Sequence, residues 1–113
     1  MNKLAIVGTH PRTRDMAPFD NPGYDIWVFN EAPQNPWVKR WDAVFQMHKP
    51  EVYTSENNFV RADHWQWLQQ SRGKPIYMQA ADPRVPDSVR YPLDEIISTL
   101  PGGDYRWFTS SPA

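Results

Sequence analysis

The residues with the greatest chemical potential in this chain stand just after short apolar runs. Gly8, Thr9, His10, Pro11 and Arg12 follow Leu4–Val7, Asn30 and Glu31 end the run that begins at Tyr24, and His48 ends the run that begins at Asp42. Gly8 lets the backbone turn tightly and leaves amides open to an anion, so the loop reads either as a phosphate contact or as a plain strand-to-loop turn. It is not a full dinucleotide fingerprint, because His10 and Thr13 occupy the second and third glycine positions of G-x-G-x-x-G. Arg12 and Arg14 have the fork geometry to clamp phosphate oxygens, with a solvated turn as the alternative. His10 and His48 are the candidate catalytic residues, since an imidazole there can hydrogen-bond a phosphate or move a proton near neutral pH; a solvent-facing loop histidine is the simpler outcome. Asn30 and Glu31 fall roughly 20 residues past the glycine, where an acidic or amide side chain meets ribose in nucleotide sites; a polar loop start is the alternative. Ser110 and Ser111 end a last apolar run and open a helix-like start, which makes a second candidate anion site.

Composition removes several classes of chemistry. The 113 residues are expected to form one domain, 1–113, and contain no cysteine, so disulfides, thiolate catalysis and cysteine metal sites are excluded. The histidines His10, His48 and His64 lack the i, i+4 spacing of a helical zinc site, and no metal or other cofactor is expected. With a net charge of -1 no global field recruits nucleic acid or an anionic membrane, and no apolar run approaches the roughly 20 residues of a membrane span. A reducing cytoplasm is the default setting. The sequence has no G-x-S-x-G elbow and no G-x-x-x-x-G-K-[ST] loop.

The elements needed to hold these residues read as an α/β fold, a mostly parallel sheet of about five short strands with short helices. Leu4–Val7 has no polar alternation and is expected to be covered on both faces. Further strands are expected at Tyr24–Asn30, Asp42–His48, Lys74–Met78 and Tyr105–Phe108. Twelve prolines and six tryptophans imply many stiff loops, Gln79–Tyr91 among them. Helices are expected from Asn57 or Asn58 to about Gln70, with Val60, His64, Trp67 and Leu68 on one face and Trp65 off it, and from Pro92 to Leu100. Lys49-Pro50-Glu51 closes the third strand. Ser111 and Pro112 announce a helix, so the domain is expected to be truncated at its C-terminus, leaving Trp107 or Phe108 without apolar cover.

VGTHPR after the first strand, VFNEAP after the second and WFTSSPA at the end together resemble the N-terminal part of a Rossmann-like superfamily. It includes the 6-hydroxymethylpterin diphosphokinase-like proteins and the bacterial family-42 sialyltransferases, and some phage-encoded proteins look similar. The resemblance implies a nucleotide-dependent transferase-like protein that moves a glycosyl or diphosphate group. It implies that Gly8 and Thr9 meet the phosphates, Asn30 the nucleotide, and Ser110 with Ser111 the base, sugar or phosphate. A nucleotide or nucleotide-sugar is the implied partner. His10, Pro11 and Arg12 depart from the superfamily's G-x-G-P-S type loop. A second class of function is open beside it: a non-catalytic or self-associating interaction module that uses Trp37, Trp41, Trp65 and Trp107.

Overall fold

The computed structural model describes residues 3–54, 63–100 and 102. Strands β1 (Lys3–Ile6), β2 (Tyr24–Phe29), β3 (Ala43–Gln46), β4 (Ile76–Met78) and β5 (Ser88–Arg90) form one sheet, each pairing in parallel with the next in sequence. The helices are short: α1 (Pro50–Tyr53), α2 (His64–Leu68) and α3 (Leu93–Ser98), with single 3-10 turns at Arg14–Met16 and Ala32–Gln34. Proline sets several of these limits, because Pro33 and Pro50 sit in first turns, where a missing N–H costs nothing, and cannot occupy a helix interior. The expected class, a small Rossmann-like α/β parallel sheet with short helices, is the class observed.

The strand order β1-β2-β3-β4-β5 has no reversal. Right-handed crossovers between successive parallel neighbours place every connection on the same face. The core follows this rule: Phe19 comes from the first connection, Ala32, Trp37 and Trp41 from the second, Tyr53 and Leu68 from the third, and Val85 from the fourth. All pack with Val7, Ile26, Val28, Val44, Ile76 and Met78. Because α1 and α2 are too short to roof the sheet, tryptophan area completes the layer. Cations in turn cover the rings, with Arg14 4.8 Å from Trp37, Arg72 3.9 Å from Trp67, Lys74 4.6 Å from Trp41 and Arg84 5.0 Å from Trp65. Arg40 ties the second connection to the first, donating to the carbonyls of Phe19, Asn21 and Tyr24 and to Asp42.

The strand period of two sends Leu4, Ile6, Trp27, Phe29, Phe45, Tyr77 and Val89 to the opposite face. Phe45 is its hub, lying 5.3 Å from Trp27, 5.3 Å from Phe29 and 5.9 Å from Tyr77.

Three expectations change. Leu4 and Ile6 are 49% and 55% exposed, so among the described residues β1 is an edge strand with one covered face, since the connections between successive strands lie on the other side. The loop expected over Gln79–Tyr91 contains β5, whose main chain pairs with β4 although Ser88 and Arg90 carry no apolar signal. Lys49-Pro50-Glu51 opens α1 as well as closing β3, because Pro50 suits a first helical position. Trp37, Trp41 and Trp65, named for an interaction surface, are half-buried and pack against the core. Of the helix expected to start at Asn57 or Asn58, His64–Leu68 is helical, with His64 and Leu68 buried and Trp65 turned onto Tyr53. Residues 55–62 lie outside the described residues, as do the strand expected at Tyr105–Phe108, Trp107, Ser110 and Ser111.

Candidate functional site at the carboxyl edge

All five strands run the same way, so the loops that follow them emerge at one edge of the sheet. Gly8 and Thr9 follow β1, Asn30 and Glu31 follow β2, and His48 follows β3. In an open parallel sheet this edge is where ligands are held. Among the described residues the sequential strand order supplies no switch point, so the hollows at this edge are formed by the loops.

One such hollow, about 410 Å³, lies against the end of β1 and is lined by Ile6, Gly8, Thr13, Arg14 and Met16. Gly8 is exposed, and a Cβ built on it meets nothing within 4 Å. No protein atom therefore demands glycine here. The loop beyond it is a compact turn in which the amides of Thr13 and Arg14 both donate to the carbonyl of His10, at 3.1 and 3.0 Å. His10 Nδ1 accepts the Arg12 amide at 3.1 Å, which keeps the proton off that nitrogen and leaves Nε2 as the ring's donor. Arg12 itself is exposed.

Asn30 has φ 49, the left-handed region that a side chain rarely adopts. Its amide continues the sheet by donating to Phe45 O at 2.9 Å, while its buried Oδ1 has no hydrogen-bond partner. Arg14 Nε, on the neighbouring loop, is likewise buried and unpaired. Backbone strain and orphaned polar atoms together are a stability cost of the kind that collects at functional sites. Glu31 caps the turn at Ala32–Gln34, its carbonyl accepting from the Gln34 amide and from Asn35 Nδ2.

A larger cavity, about 440 Å³, opens at the ends of β3 and β4 and is lined by His48, Tyr53, Gln79, Asp82 and Arg84, among others. Its floor is a fixed network. Tyr53 donates its hydroxyl to Asp82 Oδ2 at 2.7 Å, and Arg84 donates from Nε to Oδ1 at 3.0 Å and from Nη2 to Oδ2 at 2.8 Å. The Arg84 amide adds a fourth bond to Oδ1 at 2.9 Å. These bonds, Arg84's above all, hold the Asp82 carboxyl well below the usual carboxylate range although burial opposes them. Burial, followed by the Asp82 acceptor, pushes the Tyr53 phenol up to about 12. Both groups therefore keep one protonation state across the neutral range and act as scaffolding.

Beneath the cavity, Gln46 and His64 are buried in mid-core and bonded to each other, and His64 Nδ1 meets Gln34 Oε1 at 2.8 Å. With the amides so placed, an acceptor faces Nδ1 and a donor faces Nε2. These bonds hold His64 as a structural residue of the core.

His10 and His48 follow β1 and β3, with β2 between them, which separates the strand axes by about 10 Å. Gly8 and Thr9 do stand beside Asn30, because β1 and β2 are hydrogen-bonded neighbours. Tyr53, Asp82 and Arg84 escaped sequence reading. The dipeptide Asp82-Pro83 is a turn-opening signal, and the Asp82 side chain does cap the turn at Arg84, but nothing in the sequence couples it to Tyr53, 29 residues away. Among the described residues no helix is long and apolar enough to cross a membrane. Compared with protein-family models, curated proteins and solved structures, the chain matches none.

Proposed function

We propose that this chain is the nucleotide-binding domain of a nucleotide-dependent transferase-like protein of the cytoplasm, holding a nucleotide or nucleotide-sugar across the carboxyl edge of its sheet. The observation that carries the reading is the juxtaposition of Gly8 and Asn30 at the ends of paired strands, an open glycine with no structural need to be glycine beside a strained, unsatisfied asparagine. Exposed Gly8 and Thr9 allow close approach of phosphate oxygens, and Arg12 offers a charge beside them. The apolar wall of Ile6 and Met16 in the same hollow suits a base or sugar face. His48, on the next strand, stands toward the acceptor side. Isothermal titration of the chain with CMP, GTP and ATP tests the proposal. A saturable signal from one of them is expected, and silence from all three would sink it.

The second reading is an interaction module, and the opposite sheet face favours it. That face holds Trp27, Phe29, Phe45 and Tyr77 between the exposed aliphatic residues Leu4, Ile6 and Val89 at its edges. Sedimentation equilibrium separates the two, since a strict monomer at high concentration counts against self-association through this face.

A further inference from the structure

We propose a second ligand site that does not depend on the nucleotide reading: the cavity at the ends of β3 and β4 binds the terminal oxyanion, phosphoryl or carboxylate, of a small ligand on Arg84. The guanidinium has five N–H groups, and Asp82 takes only the Nε–Nη2 edge. The Tyr53 hydroxyl is a further hydrogen-bonding neighbour of the guanidinium, and the Nη1–Nη2 end presents two parallel N–H groups, the geometry that grips a carboxylate or phosphate through two oxygens. Arg84 is fixed before any ligand arrives, by two bonds to Asp82 on one side and by the Trp65 ring, 5.0 Å away, on its face. Holding a long side chain in place in advance removes much of the ordering cost of binding.

The charges are arranged for an anion. The Asp82 side chain is 8% exposed and that of Arg84 57%, so an approaching group meets the guanidinium and not the carboxylate behind it. Two further residues, Ala80 and Ala81, line the same cavity. The backbone amides of Ala80 and Ala81 give no hydrogen bond to any described residue. They follow β4 after Gln79, at the edge where His48 also stands. A volume of about 440 Å³ holds a small metabolite. Tyr53, whose hydroxyl proton is committed to Asp82, shapes the wall and takes no part in proton transfer.

The test uses the intact chain, ¹⁵N-labelled, titrated separately with inorganic phosphate and with succinate. Saturable shifts of the Ala80 and Ala81 amides and of the Trp65 indole are expected with at least one of them, and the tighter of the two names the ligand class. Arg84→Gln should raise the dissociation constant about tenfold or more, and Arg84→Lys should weaken binding less, since a point charge replaces the fork. Gly8→Val should leave this titration unchanged, which separates it from the nucleotide site. If the Ala80 and Ala81 amides of the unmodified chain shift with neither anion, the proposal is overturned whether or not the variants fold. It is overturned equally if a folded Arg84→Gln chain binds as tightly as the parent.

Discussion

The Tyr53 hydroxyl reaches the Asp82 carboxylate at 2.7 Å and so joins α1 to the turn that follows β4. This one bond links the third and fourth connections of the fold, and it makes the cavity floor respond to pH at both ends of the scale.

The sign follows from the direction of each shift. Asp82 is held below its ordinary carboxylate value, so its contribution is complete above about pH 4 and is lost as pH falls through the native value. Tyr53 is raised to about 12, so its contribution is complete below the ordinary tyrosine value of about 10 and is lost as pH climbs from there toward the native value. Unfolding free energies of Tyr53→Phe from urea melts across this range should lie below the parent's by about 1.5 kcal/mol at neutral pH. The gap should narrow above pH 10, as the parent's own phenol ionises. A constant gap through alkaline pH would show that the bond does not titrate.

On the aromatic face, Trp27 and Tyr77 stack with centroids 5.3 Å apart although β3 lies between their strands. Ala43, on β3 and the partner of Trp27 in register, is 1% exposed on the same face. Ala43→Leu should wedge the stack apart and cost roughly 1–3 kcal/mol, the usual range for overpacking. Near-ultraviolet circular dichroism should lose aromatic intensity at the same time. An unchanged spectrum and midpoint would mean that the small residue is not required.

Asn30 combines φ 49 with a buried, unpaired Oδ1. Asn30→Gly removes both the left-handed strain and the orphaned acceptor and should stabilise the chain by about 1 kcal/mol, even after the added entropy of glycine in the unfolded state. The same change should weaken nucleotide binding. A variant that gains stability and loses affinity is the signature of a residue kept for a ligand.

Much of the scaffold was legible in the sequence. β1 to β4 were marked by apolar runs punctuated by Gly8, Pro22-Gly23 and Pro50, and Gly73, at φ 69, marks the turn before β4. β5 was not legible, because Ser88-Val89-Arg90 is joined to β4 by main-chain pairing that no side-chain pattern announces. The one-sided cover of β1 was hidden for a different reason. Leu4 and Ile6 look like core residues, and only the sequential strand order reveals that every connection lies behind them. Gly8, Asn30 and His48 could be placed at strand ends because strand ends are readable. Arg84 could not be placed, since its orientation comes from Asp82 and Trp65, contacts that depend on tertiary packing.

The nucleotide reading faces its most direct test in Gly8→Val. The new side chain enters open space, so the fold should be unaffected and the urea midpoint unchanged. A bound phosphate, however, needs that space. Titration calorimetry of parent and variant with the best-binding of CMP, GTP and ATP should show a loss of affinity of about tenfold or more at equal stability. Equal affinity in the two proteins would contradict a phosphate at the β1 loop.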